Sequence, residues 1–212
     1  MKSLIVNEIF YSIQGESLSI GIPTIFIRLT GCPLRCSYCD TEYAFTEGKK
    51  MSFDEIITSI KKYNCKNITI TGGEPLSQKN TLLFLDKISS LYEVSLETSN
   101  ALSIKDVKKD ITIILDIKTP DSNESDKNII DNYKYLKKTD QIKFVVCTLE
   151  DYHWAKDYIF NNNLHEICNI LISPSYGEIS LKKLANQMLL DDLPARLQVQ
   201  LHKIIWGDER GR

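Results

Sequence analysis

Three cysteines stand close together in the sequence, at Cys32, Cys36 and Cys39. Three residues separate the first pair and two residues separate the second pair, and no fourth cysteine lies nearby. A [4Fe–4S] cluster contains four irons, so three thiolates leave one iron without a protein ligand. The spacing therefore predicts an iron–sulfur cluster whose open iron can bind a further molecule.

A structural zinc site is the main alternative for a group of cysteines. Zinc in such sites takes four ligands that usually come in pairs, and this chain has no second pair of cysteines two residues apart. The nearest further cysteine is Cys65, and the only histidines are His153, His165 and His202. The zinc interpretation is disfavoured on these grounds, and three unrelated thiols are less favoured still.

The composition is that of an ordinary globular chain. Its 212 residues are 42% hydrophobic and 25% charged, which suffices for one domain, residues 1–212, with a real core. The net charge of −2 and the lack of a basic block disfavour duplex nucleic acid as a partner. The longest apolar runs are too short to span a membrane, and residues 1–8 lack the apolar core of a signal peptide.

A cytoplasmic location is therefore expected, without a membrane or nucleic-acid partner. Thiols stay reduced in that compartment, so disulfides are not expected. The remaining cysteines are most simply buried apolar side chains, namely Cys65, Cys147 and Cys168.

Strands and helices alternate along most of the chain. Ser52 and Glu55 form a capping box at the start of a helix whose apolar residues recur at 53, 56, 57 and 60. Residues 40–51 are predicted to be loop, and 100–110 are ambiguous. Further helices are predicted at 80–92, 125–138, 151–162 and 180–190. Strands are predicted at 4–11, 23–29, 67–71, 93–98, 111–118, 141–148, 167–173 and 196–205.

This alternation is typical of parallel βαβ units wound in one direction. Six or seven such strands are too few for a complete eight-stranded barrel, so we expect an α/β fold built on an incomplete (β/α) barrel of mainly parallel strands. Chemistry in such folds lies at the carboxyl ends of the strands. The polar residues predicted at those ends are Gly72 to Glu74, Glu97 to Asn100, Asp116, Lys118, Ser173 to Tyr176, and His202 in the last strand.

The cysteine motif, with the aromatic Tyr38 before its third cysteine, resembles that of the radical S-adenosylmethionine (SAM) enzymes. Gly72-Gly73-Glu74-Pro75 after the second barrel strand matches the family's next landmark. The resemblance implies a [4Fe–4S] cluster whose open iron binds SAM. Gly73 would allow close approach of SAM, Glu74 would pair with its ammonium group and Tyr38 would contact its adenine. The other implied cofactor contacts are Cys39, Asp40, Ser99, Asp116, Lys118, Ser173, Pro174, Ser175 and Tyr176.

Within that superfamily the chain resembles the 7-carboxy-7-deazaguanine synthases. The resemblance rests on Ile13-Gln14-Gly15-Glu16, Arg28, Cys39-Asp40-Thr41 and the closing segment Val199 to Lys203 with Trp206-Gly207. It implies a lyase that converts 6-carboxy-5,6,7,8-tetrahydropterin to 7-carboxy-7-deazaguanine with loss of ammonia, a step toward queuosine and other 7-deazapurines. The middle of the chain, residues 100–165, carries only a fold-level resemblance.

The same resemblance implies roles for individual residues. The Arg28 fork would hold the substrate's carboxylate, and Thr41 would be a ligand of Mg²⁺ joined to that carboxylate. Catalysis would depend on Cys32, Cys36 and Cys39 through the cluster. The other implied substrate contacts are Ile13, Gln14, Gly15, Glu16, Thr71 and His202.

The family resemblance further implies a homodimer and an electron donor such as flavodoxin or ferredoxin. Two other functions remain open at this point. A radical SAM activase of glycyl-radical enzymes would share the cluster motif but would need a docking surface for a large partner. A non-enzymatic iron–sulfur electron carrier would need neither the Gly-Gly-Glu turn nor a barrel of this size.

Overall fold

A nine-stranded sheet forms the framework of the computed structural model, which describes residues 2–212. Its strands lie in the order β3-β1-β2-β4-β5-β6-β7-β8-β9, with β3 and β9 at the two edges, so the sheet does not close into a barrel. The strands are β1 (Ser3–Ile13), β2 (Pro23–Leu29), β3 (Lys49–Ser52), β4 (Asn67–Gly72), β5 (Glu93–Ser99), β6 (Thr112–Ile117), β7 (Gln141–Val146), β8 (Asn169–Pro174) and β9 (Arg196–Leu197).

All neighbouring pairs from β2 through β4 to β9 are parallel, whereas β1 runs antiparallel to both β2 and β3. The predicted incomplete barrel of mainly parallel strands is therefore confirmed. The sheet has one strand more than the eight predicted along the chain, because β3 extends it at one edge. The parallel arrangement brings the carboxyl ends of β2 and β4 to β8 to one edge of the sheet.

Six α-helices accompany the sheet in residues 2–212. The capping box of the first helix is confirmed, since the Glu55 amide donates to the Ser52 hydroxyl and the Glu55 carboxylate accepts from the Ser52 amide. No helix in this part of the chain combines the length and apolarity needed to cross a membrane. The helices are α1 (Phe53–Ile60), α2 (Thr81–Ile88), α3 (Leu149–Asn161), α4 (Leu164–Ile167), α5 (Leu181–Leu190) and α6 (Leu201–Trp206).

The predicted helix at 125–138 is wrong, because the segment forms short 3₁₀ turns instead. Two asparagine side chains in it bond to distant backbone groups. Asn128 accepts from the amide of Lys118 and donates to its carbonyl, and Asn132 accepts from the amide of Ile104. Such side-chain bonds compete with a helical backbone. The segment is consequently tied across the end of β6.

The predicted final strand at 196–205 is also wrong beyond its second residue. The amide of Leu201 donates to the carbonyl of Gly15 at 2.9 Å, which turns the chain away from the sheet and into α6. His202 therefore lies on a helix rather than on a strand. In addition, the predicted loop at 40–51 contains most of β3, an edge strand whose only buried residue is Met51.

Candidate active site at the carboxyl edge of the sheet

A cavity of about 490 Å³ opens at the carboxyl edge of the sheet. That volume lies within the range of sites for small ligands and cofactors. The loop after β1, the cysteine loop, the ends of β4 to β7 and the last turns of the chain all contribute to its wall. It collects nearly all the residues that the sequence predicts for a site: Ile13 to Glu16, Arg28, Cys32, Cys36, Tyr38 to Thr41, Thr71, Gly73, Ser99, Asp116, Lys118, Ser175, Tyr176 and His202.

All three motif cysteines line this cavity as half-buried, unpaired thiols. Backbone bonds hold the loop that carries them: the amide of Glu74 donates to the carbonyl of Gly31 at 2.7 Å, and that of Ser37 donates to Ser122 at 3.2 Å. At Gly73 an added Cβ would come within 2.4 Å of the Gly31 oxygen and 3.0 Å of Cys32 Cβ. Three free thiols on one wall of a cavity form a donor set that fits three irons of a cubane cluster.

Glu74 does not line the cavity. Its buried carboxylate accepts four hydrogen bonds, from the Leu76 amide, the Thr98 hydroxyl, and both the amide and hydroxyl of Ser99, all between 2.6 and 2.8 Å. Burial raises the pKa of this carboxyl, and the four donors oppose that effect. The contact expected between this carboxylate and the ammonium of SAM is therefore not what the geometry provides. The carboxylate ties the turn after β4 to the end of β5.

Ser173 and Pro174 also lie outside the cavity wall, unlike Ser175 and Tyr176 that follow them. Ser173 is buried in β8, and its hydroxyl has no hydrogen-bond partner within residues 2–212. Ser173 lies within the strand, where its side chain is packed against the rest of the protein. Only the residues past the strand end reach the opening.

A buried group of polar side chains stands beside the cysteine loop. Lys118 Nζ lies 3.0 Å from Asp116 Oδ1 and 5.7 Å from the centre of the Tyr38 ring. Burial lowers the pKa of Lys118, but Asp116 and the neighbouring groups outweigh that effect and raise it. The Tyr38 hydroxyl is buried without a hydrogen-bond partner in the described part of the chain. The ammonium of Lys118 is thus fixed over an aromatic ring at the cavity wall.

Lys143 on β7 joins this group to the loop after β1. Its Nζ lies 2.7 Å from Glu16 Oε2 and 3.3 Å from Asp116 Oδ2. Gln200 donates to the other oxygen of Glu16 at 3.1 Å. Burial by itself raises the pKa of Glu16, but Lys143 and Gln200 outweigh it and bring the pKa to about 2. Glu16 is therefore a carboxylate, and an acceptor, at any ordinary pH.

A second carboxylate, Glu97 at the end of β5, accepts from Gln14 Nε2 at 3.2 Å and from the Thr71 hydroxyl at 3.0 Å. Burial raises the pKa of Glu97. From the sequence, Glu97 was predicted only to lie at a strand end and was given no role, and Lys143 was not predicted to belong to the site. A carboxylate at the end of a barrel strand was the signal available for Glu97, whereas Lys143 lies inside a strand and gave none.

Arg28 lies on β2, and its Nε makes a hydrogen bond within the protein. That nitrogen donates to Glu8 Oε1 at 2.7 Å. Among residues 2–212, no other hydrogen-bond partner of the guanidinium is found, and Arg28 lines the cavity. The rings of Phe10 and Tyr43 lie 5.8 and 5.9 Å from its Cζ. The free edge of the guanidinium can therefore receive a planar anion.

His202 packs on the loop after β1. A Cβ added at Gly15 would come within 2.1 Å of His202 Nδ1, so glycine is required for the close approach of helix α6. Burial lowers the pKa of His202. Residues 207–212, which follow this helix, also line the cavity. Thr41, which lines the same cavity, donates to Asp40 Oδ1 at 3.2 Å.

Comparison with known proteins agrees with this geometry. The family model of the radical SAM superfamily matches residues 26–169. The 7-carboxy-7-deazaguanine synthase of Chlorobaculum tepidum is 40% identical over 211 residues, covering 97% of this chain and 96% of its own. That of Clostridium acetobutylicum is 40% identical over 214 residues and 97% of each chain. The crystal structure of QueE from Escherichia coli shares the fold, with a TM-score of 0.77 at 21% identity over 94% of this chain and 95% of that one.

Proposed function

The chain belongs to the radical SAM superfamily and to its 7-carboxy-7-deazaguanine synthases, and we propose that it converts 6-carboxy-5,6,7,8-tetrahydropterin to 7-carboxy-7-deazaguanine with release of ammonia. One observation carries the proposal. A single cavity combines three free thiols with a guanidinium edge and an ionised carboxylate, provided by Arg28 and Glu16. The three thiols suit an iron–sulfur cluster, and the guanidinium and the carboxylate suit a polar ring that carries a carboxyl group.

Cys32, Cys36 and Cys39 would hold the cluster as thiolates. The cluster and SAM, when bound, would supply the one-electron radical chemistry needed to take a hydrogen from the pterin. Gly73 leaves room for close approach to the cysteine loop. Glu74 acts indirectly, because its carboxylate fixes the backbone and hydroxyl of a serine in the wall.

The remaining SAM contacts would come from the wall beside the cysteine loop. The Tyr38 ring offers an apolar face for the adenine, and the ammonium of Lys118 and the carboxylate of Asp116 offer polar contacts. Ser99, Ser175 and Tyr176 line the same cavity. These groups would bind and orient the cofactor.

The pterin would bind through complementary charge and hydrogen bonds. The free edge of Arg28 suits its carboxylate, and ionised Glu16 suits the N–H groups of its amino-pyrimidine edge. Backbone groups of Ile13 to Gly15, and the side chains of Thr71 and His202, lie within the same cavity. Positioning of this kind orients C6 toward the cofactor, and correct orientation alone can lower a barrier by several kcal/mol.

We further propose a magnesium ion held by Thr41 and by the carboxylate of the bound substrate. Thr41 lies on the cavity wall beside Asp40, and Mg²⁺ prefers oxygen ligands and retains several waters. A cytoplasmic homodimer that receives electrons from a flavodoxin or ferredoxin, and whose product feeds queuosine biosynthesis, completes the proposal. Family membership supports these points. The activase and electron-carrier functions are not favoured, since neither needs a pterin-sized polar cavity beside the cysteines.

The proposal is tested with reconstituted, reduced protein incubated with SAM and 6-carboxytetrahydropterin, followed by mass spectrometry of the products. We expect 7-carboxy-7-deazaguanine and ammonia in equal amounts, and no product from the Cys36→Ala variant. A glycyl radical on an added partner protein would favour the activase. SAM cleavage at one slow rate with and without the pterin, and no deazaguanine, would refute the assignment.

A further inference from the structure

Glu8 on β1 lies directly across from Arg28 on β2 in the strand register. Their side chains form an ion pair at 2.7 Å and are only 17% and 16% exposed. Glu8 itself does not line the cavity, so it stands behind Arg28 as seen from the opening. A desolvated pair of this kind keeps its geometry only if other groups hold it.

Two further groups hold Glu8. The Tyr43 hydroxyl donates to the same oxygen, Oε1, at 3.0 Å. The other oxygen, Oε2, lies 3.9 Å from Arg210 Nε, and Arg210 is itself bonded to Glu47 at 2.7 Å. Both short hydrogen bonds therefore converge on Oε1, whereas Oε2 has, within residues 2–212, only the more distant Arg210 as a charged neighbour. The carboxylate cannot turn without losing both bonds.

This arrangement decides which edge of the guanidinium Arg28 presents. A guanidinium offers two edges with paired donors, one that includes Nε and one formed by the two terminal nitrogens. Glu8 occupies Nε, and the rings of Phe10 and Tyr43 stand beside the group. The terminal edge is left without a partner in residues 2–212 although Arg28 lines the cavity. Unsatisfied charged donors are costly until an anion binds them.

We propose that Glu8 is a positioning residue that makes Arg28 select pterins bearing a carboxylate. It fixes Arg28 so that the two terminal nitrogens grip the carboxylate end-on. The inference rests on the proposed function and adds a determinant of its substrate specificity. Glu8 touches no substrate atom. Its effect on binding passes entirely through the orientation of Arg28.

Two conservative variants separate orientation from charge. Glu8→Gln keeps the length of the side chain. Its amide oxygen can replace Oε1 and accept from both Arg28 Nε and the Tyr43 hydroxyl. Its amide nitrogen then takes the place of Oε2, which lies 3.9 Å from Arg210 Nε. Glu8→Asp keeps the charge but is one methylene too short to reach Nε. If orientation matters, Gln preserves selectivity and Asp loses it. If only charge compensation matters, the result is reversed.

The experiment measures affinity by calorimetry for two probes, 6-carboxytetrahydropterin and tetrahydropterin without the carboxylate. Protein with an oxidised cluster and bound SAM is used, so that no turnover occurs. We expect wild type to prefer the carboxylated probe by about tenfold or more, the usual value of a charge-assisted pair. Glu8→Gln should stay within about threefold of that preference. Glu8→Asp and Glu8→Ala should lose it while binding the plain pterin as wild type does.

Asp54→Asn is the control, since it removes the carboxylate of another ion pair, with Lys87 at 2.8 Å, that does not line the cavity, and it should leave the preference unchanged. Retention of the preference in Glu8→Asp, its loss in Glu8→Gln alone, or an equal loss of both pterins in every Glu8 variant would overturn the inference. A wild type that binds neither pterin would instead overturn the proposed function. If Glu8→Ala loses its cluster, the Gln and Asp pair still decides the question.

Discussion

Replacing Lys143 by Met should destabilise the protein in a way that depends on pH. The pKa of Glu16 lies at about 2 against an ordinary value of 4.5, chiefly because Lys143 outweighs the effect of burial. A difference of one in pKa corresponds to about 1.4 kcal/mol, so ionised Glu16 contributes on the order of 3 kcal/mol at neutral pH. Removing Lys143 leaves a buried carboxylate without its cation, and we expect a loss of about 3 kcal/mol at pH 7.

The sign of the pH dependence follows from the two pKa values. A lowered carboxyl pKa gives stability that is fully present above the unfolded value of 4.5 and is lost as the pH falls toward 2. In Lys143→Met, burial is no longer offset, so Glu16 takes up its proton at a higher pH than in wild type. The difference in unfolding free energy between the two proteins should therefore shrink as the pH is lowered from 7 to 4.5.

Urea unfolding of the reconstituted protein at several pH values measures this difference. The double variant Glu16→Gln with Lys143→Met should be more stable than Lys143→Met alone, because Glu16 then no longer carries a buried charge without its nearest cation. Calorimetry on Lys143→Met should also show weaker pterin binding. A loss below about 0.5 kcal/mol that is the same at pH 7 and pH 5 would refute the reasoning.

Four further predictions concern the cavity. Arg28→Lys should weaken pterin binding by about tenfold or more and leave SAM binding near normal by calorimetry, because lysine lacks the two-donor fork; a loss of SAM binding instead would move Arg28 to the cofactor site. Thr41→Val should abolish stimulation by Mg²⁺ of chelator-treated protein while the cluster is kept, and equal stimulation in both proteins would remove Thr41 from the metal site. Gly15→Ala should displace His202 and weaken pterin binding, with about 1–3 kcal/mol lost in stability, and unchanged affinity would contradict the close contact. Iron analysis should show that alanine at each motif cysteine removes the cluster and that iron is retained after replacement of Cys65, Cys147 or Cys168.

The parallel core was predictable because its signals are local. The β2 strand Pro23–Leu29 runs directly into the cysteine motif, and the capping box at Ser52 marks the start of α1. The missed strand β3 carries lysines at an exposed edge and buries only Met51, so it shows no hydrophobic alternation. Its strand conformation comes from pairing with β1 and is not indicated by its own sequence.

The errors near the end of the chain have a different cause. Residues 196–205 contain enough apolar residues for a strand, but the bond from Leu201 to the Gly15 carbonyl and the bond from Gln198 Nε2 to the Ser17 carbonyl pull the segment onto the loop after β1. Gln198 and Ser17 are 181 residues apart in the sequence. A contact at that separation cannot be read from the periodicity of the segment itself.

The contacts that a buried polar side chain makes were equally unpredictable from the sequence. The position of Glu74 in the Gly-Gly-Glu turn predicted a ligand contact, yet its four donors come from the turn itself and from β5. Lys143 showed the opposite case. Within Gln141-Ile142-Lys143-Phe144 it alternates with apolar neighbours and so suggests a solvent-facing position, but on this curved sheet that face lines the cavity.

The buried charges of the cavity form a chain rather than separate pairs. Glu16, Lys143, Asp116 and Lys118 follow one another at 2.7, 3.3 and 3.0 Å, and each side chain is at most 16% exposed. Every member except the two at the ends has two partners of opposite charge, so no single side chain can turn without breaking a contact in a poorly solvated site. This series of charges extends from Glu16, the carboxylate proposed to bind the pterin, to Lys118 beside the cysteine loop. The two parts of the cavity are therefore held in a fixed relation before any ligand binds, which is the condition that orienting a pterin carbon toward a bound cofactor requires.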